Sequence, residues 1–437
     1  MRDWSPEIVE QAAGVRLLRP LPSRTGGIEG PQRVTIDSRE VQPGDLFVGL
    51  PGQNADGGRF APDALAAGAW GVLVSDEHAQ RAHGNAEGVV LAADDPLAGL
   101  QALARAWRRA LSATVIAITG STGKTSTKDL LAAMLASQRR VVASRENLNT
   151  EIGLPLSILA APAGTEVLVL EMAMRGTGQI AELAAIAEPD VGVIVNVGPV
   201  HLELLGSLEA IAAAKAELLV DLRPGATAVL PADEPLLEAH LRADLHTVTF
   251  GPGGDVAELP EGLELPFTSR HMRLNALAAL AAARAAGVDP PAGRLAVELS
   301  ALRGQRIELP GPVLVIDDCY NANPMSMRAA LDDLATSAAG RRVAVLGDML
   351  ELGPEQDRFH REIGRYAEEC GVDVLVTVGP LAAVMGAEFS GEVHAAPDAA
   401  AATALVRGLV APGDTVLVKG SRGVGLEVVA QGLRAAE

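Results

Sequence analysis

Short apolar runs alternate along the chain with polar turns and with segments whose apolar residues recur at helical spacing. RVTI (33–36) predicts a strand, and the Pro-Gly-Asp inside EVQPGDLFVGL predicts a turn between strands. WGVLV and GVVLA are further strand runs. DDPLAGLQALARAWRRA predicts a helix with Pro96 near its first turn, leading out of a first domain. From residue 113 the pattern becomes strand-then-helix: ATVIAIT, the loop GSTGKT, then STKDLLAAMLASQ. The runs TEVLVLEM and DVGVIVNV each precede a helical segment, which argues for a mostly parallel sheet covered by helices. From residue 312, PVLVIDD, RRVAVLGD, VDVLVTVG and DTVLVKG alternate with helical runs and predict a second doubly wound unit. The expectation is therefore an α/β protein of three domains, 1–109, 110–310 and 311–437. A turn-rich stretch at 251–267 is expected at the surface of the middle domain.

Composition narrows the class. With 437 residues, 48% hydrophobic and 21% charged, the chain is neither disordered nor collagen-like, and it is too long for one ordinary core. A net charge of −19 disfavours duplex nucleic acid, so anionic small molecules would need a local cradle of backbone N–H groups or cations. Cys319 and Cys370 form neither a disulfide framework nor a zinc spacing. MRDWSPEIVE lacks a signal pattern, and no apolar run approaches the roughly 20 residues of a membrane span, so a cytoplasmic protein is expected. Of 36 basic residues only Lys124, Lys128, Lys215 and Lys419 are lysines. In a chain that otherwise uses arginine, each is a candidate for a site where guanidinium fails.

Candidate chemistry centres on Gly120-Ser121-Thr122-Gly123-Lys124-Thr125, between a strand and a helix. There a glycine loop turns backbone N–H groups and a helix N-terminus toward phosphate, with Lys124 reaching the phosphates and the Thr125 hydroxyl a Mg²⁺. Ile118 stands where the longer phosphate-loop motif has its first glycine; otherwise the string is a helix-capping turn. Glu171 ends one strand and His201 follows another, and ligands of open α/β sheets gather at strand carboxyl ends. Both are therefore candidate metal ligands. Asn149 is a neutral donor for a phosphate or a metal-bound water. Lys215, in LEAIAAAKAELLV, reads by pattern alone as a snorkelling surface lysine. Asp317, Tyr320, Asp348, Lys419 and Ser421 all follow strands in the third unit.

Taken in order, TGSTGKTSTKD, NLNTEIGLP, EMAMRGTGQI, NVGPVHLELLGS, DCYNANPMSMRAAL, LGDMLELG and KGSR resemble the ATP-dependent Mur ligases of peptidoglycan synthesis. DSREVQPGDLFVGL resembles a first-domain signature of that family. The resemblance implies a small α/β UDP-binding domain, a central phosphate-loop ATPase domain and a C-terminal Rossmann-like domain. It implies a cytoplasmic, monomeric ligase that joins D-Ala-D-Ala to UDP-N-acetylmuramoyl-tripeptide through an acyl phosphate. By the same resemblance, residues Gly120 to Ser126 (Ser121, Thr122, Gly123, Lys124 and Thr125 between them) and Asn149 would hold ATP. Thr125 and Glu171 would hold one Mg²⁺, and His201 and a carbamylated Lys215 a second. Lys124, Lys215 and His201 would be catalytic. Asn275, Arg306, Asp317 and Tyr320 would surround adenine and ribose; Ser38 and Arg39 would meet the uridine nucleotide; Asp348, Lys419 and Ser421 would shape the dipeptide site. Two positions depart from the family's pattern: Met272 follows His271, where the family often has His-Asn, and Gly58 follows Asp56-Gly57, where it often has Asp-Gly-His. Rival readings are the ligase adding the third peptide residue, folylpolyglutamate synthase, and a non-catalytic nucleotide switch.

Overall fold

The computed structural model describes residues 1–20, 30–53, 55–84, 87–145, 147–267 and 269–435. Three sheets follow one another along the chain. The first runs in the order Arg16–Arg19, Val89–Ala93, Gly71–Ser75, Asp45–Val48, Arg33–Thr35, and only its first pair is antiparallel. The central sheet runs His246–Phe250, Thr227–Pro231, Val191–Ile194, Thr114–Thr119, Val167–Glu171, Val141–Ala143, parallel throughout. Its inner strands are closed to water on both faces, and this is why they read as unbroken apolar runs: Val115, Ile116, Ala117 and Ile118 are all fully buried.

The third sheet runs Gln305–Leu309, Val313–Asp317, Thr415–Lys419, Arg342–Gly347, Val374–Val378, Glu392–Ala396. Its edge strand Gln305–Leu309 pairs antiparallel with Val313–Asp317, so this sheet begins before the expected boundary at 310/311. That hairpin carries the chain from the central unit into the third. The helix Pro324–Ser337 starts where it does because Asn323 accepts the Ser326 N–H while Ser326 bonds back to Asn323.

The helix Pro96–Leu111 cements the first unit to the second. Asp95 caps it by accepting from Leu97 and Ala98, and Pro96 occupies the first turn, where no N–H is missed. Its Leu100, Leu103 and Trp107 share one core with Leu154 and Ile158 of the central unit. The Trp107 indole also donates to the Ala161 carbonyl at 2.9 Å. On the other face of the central sheet, the helix Lys124–Ala136 packs with the alanine-rich helix Arg270–Ala285. The 251–267 stretch is not wholly superficial: Val256 and Leu263 are buried in that second core. Among the described residues, no helix is long and apolar enough to cross a membrane.

Candidate active site

A cavity of about 1680 Å³ lies between the carboxyl end of the central sheet and the third unit. The buried strand Thr114–Thr119 delivers the chain to its wall, where Gly120 (φ +156°) and Gly123 (φ +76°) make the turn into the helix Lys124–Ala136. The second glycine has two reasons to lack a side chain. Its φ is left-handed, and a Cβ there would sit 2.4 Å from Asn275 Oδ1. Asn275 therefore braces the loop from the helix Arg270–Ala285, and Met272, the departure from the family's pattern, packs its sulfur 3.8 Å from the Asn275 amide.

Asn196 holds the loop from the opposite side. Its Oδ1 accepts from the backbone N–H groups of Ser121 (3.1 Å) and Thr122 (2.9 Å), and its Nδ2 donates to Thr122 Oγ1 at 3.1 Å. Ser121 Oγ is tied to Gly198 on both sides, donating to its carbonyl and accepting from its N–H. Sequence reasoning missed Asn196 as a working residue, although it lies in NVGPVH. Replacing it by alanine leaves loop donors unsatisfied, at a cost of about 1–3 kcal/mol. In a nucleotide titration, Asn196→Ala is expected to weaken phosphate binding at this loop roughly tenfold or more.

Lys124 lies over the loop and donates to the Gly120 carbonyl at 2.8 Å. Burial pushes its pKa down, while Glu171 pulls it up. Glu171 is 2% exposed and accepts from Thr125 Oγ1 and from Asn149 Nδ2, both at 2.8 Å. Its own N–H donates to Ser144 Oγ, and Lys128 donates to the Ser144 carbonyl, so the second lysine braces the strand that presents Glu171. A carboxylate beside a hydroxyl is the oxygen-donor chemistry that Mg²⁺ takes up together with phosphates and water, so these residues fit that ion. No cluster of three or more His, Cys, Asp or Glu that could hold a metal by itself occurs among the described residues.

Lys215 is not at the surface. It is 2% exposed in the helix Leu208–Val220 and has no hydrogen-bond or ion-pair partner among the described residues. Burial, and then the Lys124 charge, hold its pKa well below the usual lysine range. His201, with φ +54°, lines the cavity and hydrogen-bonds through Nδ1 to Glu351 of the third unit. Burial lowers its pKa, and Glu351 opposes the shift.

The third unit contributes Arg306, Tyr320 and Lys419 to the wall. Arg306 is held on the Asp333 carboxylate at 3.0 Å, and the Arg303 guanidinium lies 3.9 Å over the Tyr320 ring. Lys419 is paired with Asp318 at 2.6 Å. Asp318 lines the cavity and Asp317 does not, because the Asp317 carboxylate turns into the core and accepts the Cys319 thiol at 2.8 Å. Asp348 and Ser421 lie behind the wall. Asp348 accepts from Ala382 N–H at 2.7 Å, and Ser421 Oγ accepts from Leu350 N–H at 2.9 Å. Ser38 and Arg39 are also outside the wall, on a short 3-10 turn in the first unit where Arg39 pairs with Asp37. The other departure has a spatial answer. A Cβ at Gly58 would meet the His78 ring at 2.3 Å, and His78 Nε2 lies 3.2 Å from Asp56, so an imidazole from another helix stands beside the Asp-Gly-Gly turn.

Comparison with known proteins covers nearly the whole chain. Residues 32–108 match the Mur ligase family catalytic domain, 118–283 the Mur ligase middle domain and 302–422 the Mur ligase glutamate ligase domain. A Synechocystis UDP-N-acetylmuramoyl-tripeptide–D-alanyl-D-alanine ligase is 39% identical over 92% of each chain. The Bacillus subtilis protein of the same name is 35% identical, also over 92% of each. Among solved structures, MurF from Acinetobacter baumannii superposes with a TM-score of 0.86 at 30% identity over 99% of each chain. MurF from Thermotoga maritima in complex with ADP superposes at 0.80 with 32% identity, over 93% of this chain and 98% of that one.

Proposed function

This chain belongs to the Mur ligase family, and from that premise we propose that it joins D-alanyl-D-alanine to UDP-N-acetylmuramoyl-tripeptide, cleaving ATP to ADP and phosphate, as a cytoplasmic monomer making peptidoglycan precursors. The observation that supports it best is the braced phosphate loop opening on a cavity whose other wall comes from the third unit. Three substrates then meet between domains that close on them.

A carboxylate is a poor acyl donor because its leaving group would be oxide. Transfer of the γ-phosphoryl group to a carboxylate oxygen makes an acyl phosphate. The dipeptide amine attacks the acyl carbon, a tetrahedral intermediate forms, and phosphate leaves with that oxygen. The loop N–H groups and Lys124 hold the phosphates in line and meet charge on the transferring group. Thr125 and Glu171 would hold one Mg²⁺, and His201 with a carbamylated Lys215 a second. Bound there, the ions supply positive charge to the phosphoryl oxygens. Arg306 and Tyr320 border the nucleoside end, and Lys419 the acceptor end. Closure of the third unit excludes the water that would hydrolyse the acyl phosphate.

ADP release should require both the UDP-tripeptide and D-Ala-D-Ala. Hydrolysis indifferent to both would support a nucleotide switch instead. Parallel assays with diaminopimelate, lysine and ornithine donors identify the third residue. In the first unit, a guanidinium beside Ser38 suits a diphosphate. Arg39→Ala is therefore expected to raise KM for the UDP-tripeptide and leave KM for ATP unchanged; movement of the ATP parameter alone would reassign the first unit.

A further inference from the structure

His201 and Glu351 meet across the boundary between the central and third units, 150 positions apart in sequence. Neither is held by ordinary backbone geometry. His201 has φ +54° and Glu351 φ +62°, left-handed conformations that non-glycine residues avoid and that surrounding contacts must enforce. Those contacts are present. The Glu203 N–H reaches the Glu351 carbonyl at 3.4 Å. Leu202, next to His201, packs against the cores of both units. Gly353, at φ +66°, would bring a Cβ within 3.3 Å of Glu203 Cα, so the two segments touch backbone to backbone. Arg175 of the central unit stands 4.0 Å from the other Glu351 oxygen.

An imidazole whose Nδ1 hydrogen is given to a carboxylate keeps its lone pair on Nε2, the arrangement in which protein carboxylates orient metal-binding histidines. We infer that Glu351 is a positioning residue: docked by the third unit, its carboxylate fixes the tautomer and orientation of His201, so that the central unit's metal site is complete only when the third unit is closed on it. The inference rests on the reading of His201 as a metal ligand given above. Coupling of this kind is reciprocal: whatever affinity the metal gains from closure, closure gains from the metal. The ATP side of the enzyme would thereby sense whether the acceptor-bearing unit is in place.

The test uses the full chain, a non-hydrolysable ATP analogue and Mn²⁺, with free Mn²⁺ followed by electron paramagnetic resonance. Glu351→Ala is expected to lose roughly ten- to a hundredfold in affinity at one of two Mn²⁺ sites while the other, at Thr125 and Glu171, is unchanged. Glu351→Gln retains an acceptor for Nδ1–H and should keep most of the affinity. In metal-free protein, imidazole ¹⁵N spectra should show His201 protonated on Nδ1 and its signal shifted toward the Nε2–H form in Glu351→Ala. His201→Gln assigns that signal. A loss of docking alone would not be rescued by glutamine through this tautomer. Wild-type Mn²⁺ affinities and an unchanged His201 signal in Glu351→Ala would overturn the inference alone. A single Mn²⁺ site in the unsubstituted chain would overturn the two-metal reading and this inference with it.

Discussion

Lys124→Ala is expected to lower the rate of product formation by roughly a hundred- to a thousandfold, the effect of losing one charge-stabilising donor in a water-excluded site. The ammonium is held over the phosphate loop by the Gly120 carbonyl, with the Glu171 carboxylate close enough to raise its pKa against burial. No second lysine stands ready on the loop to replace it, since Lys128 is engaged with the Ser144 carbonyl. The fold should survive, because the Lys124 side chain belongs to the cavity wall and not to a core. Single-turnover product formation, alongside a circular dichroism spectrum, measures this. Near-normal turnover would remove the phosphate-loop assignment.

Substitution of Lys215 has the second largest expected effect, and here the arginine variant is the informative one. Lys215 is 2% exposed and has no hydrogen-bond or ion-pair partner among the described residues, and burial lowers its pKa, which favours the neutral amine more than at a surface lysine. A neutral amine adds to CO₂: the N–C bond forms, one N–H proton leaves, and a cation becomes an anion with two oxygens, the hard donors that Mg²⁺ prefers. That conversion also removes the repulsion between Lys215 and Lys124. Guanidinium makes no such stable adduct. Lys215→Arg should therefore keep ATP binding and lose most ligase activity, whereas Lys215→Ala should regain part of it when acetate is supplied. Full activity in the arginine variant would return Lys215 to a packing role.

Much of this was legible in the chain. The inner strands betray themselves because burial on both faces leaves no charged positions and no polar alternation, as in Thr114–Thr119 and Val374–Val378. Loop, strand-end carboxylate and histidine were readable because parallel sheets send strand ends to one edge. Pattern alone put Lys215 at the surface, where a lone lysine in an alanine-rich helix is usually solvated, whereas Ile211, Ala212, Ala214, Ala216, Leu218 and Leu219 are buried around it. The strand Gln305–Leu309 was lost in the domain boundary because its alternating QRIEL needs a partner strand to declare its register. Asp317 was expected at the nucleoside end, but its carboxylate accepts the Cys319 thiol and it is the next residue, Asp318, that lines the cavity. The Glu351 contact with His201 and the replacement of a side chain at Gly58 by the His78 ring are tertiary facts with no local signal.

Ligation through phosphorylation of the donor's carboxylate can be followed by isotope transfer. UDP-N-acetylmuramoyl-tripeptide labelled with ¹⁸O in its terminal carboxylate is incubated with the enzyme, ATP, Mg²⁺ and D-Ala-D-Ala, and the released phosphate is analysed by mass spectrometry. The expected products are the UDP-pentapeptide, ADP and an equivalent of phosphate carrying one ¹⁸O, because the oxygen that accepts the γ-phosphoryl group leaves with it. Unlabelled phosphate, or phosphate released with no amide product, would contradict it.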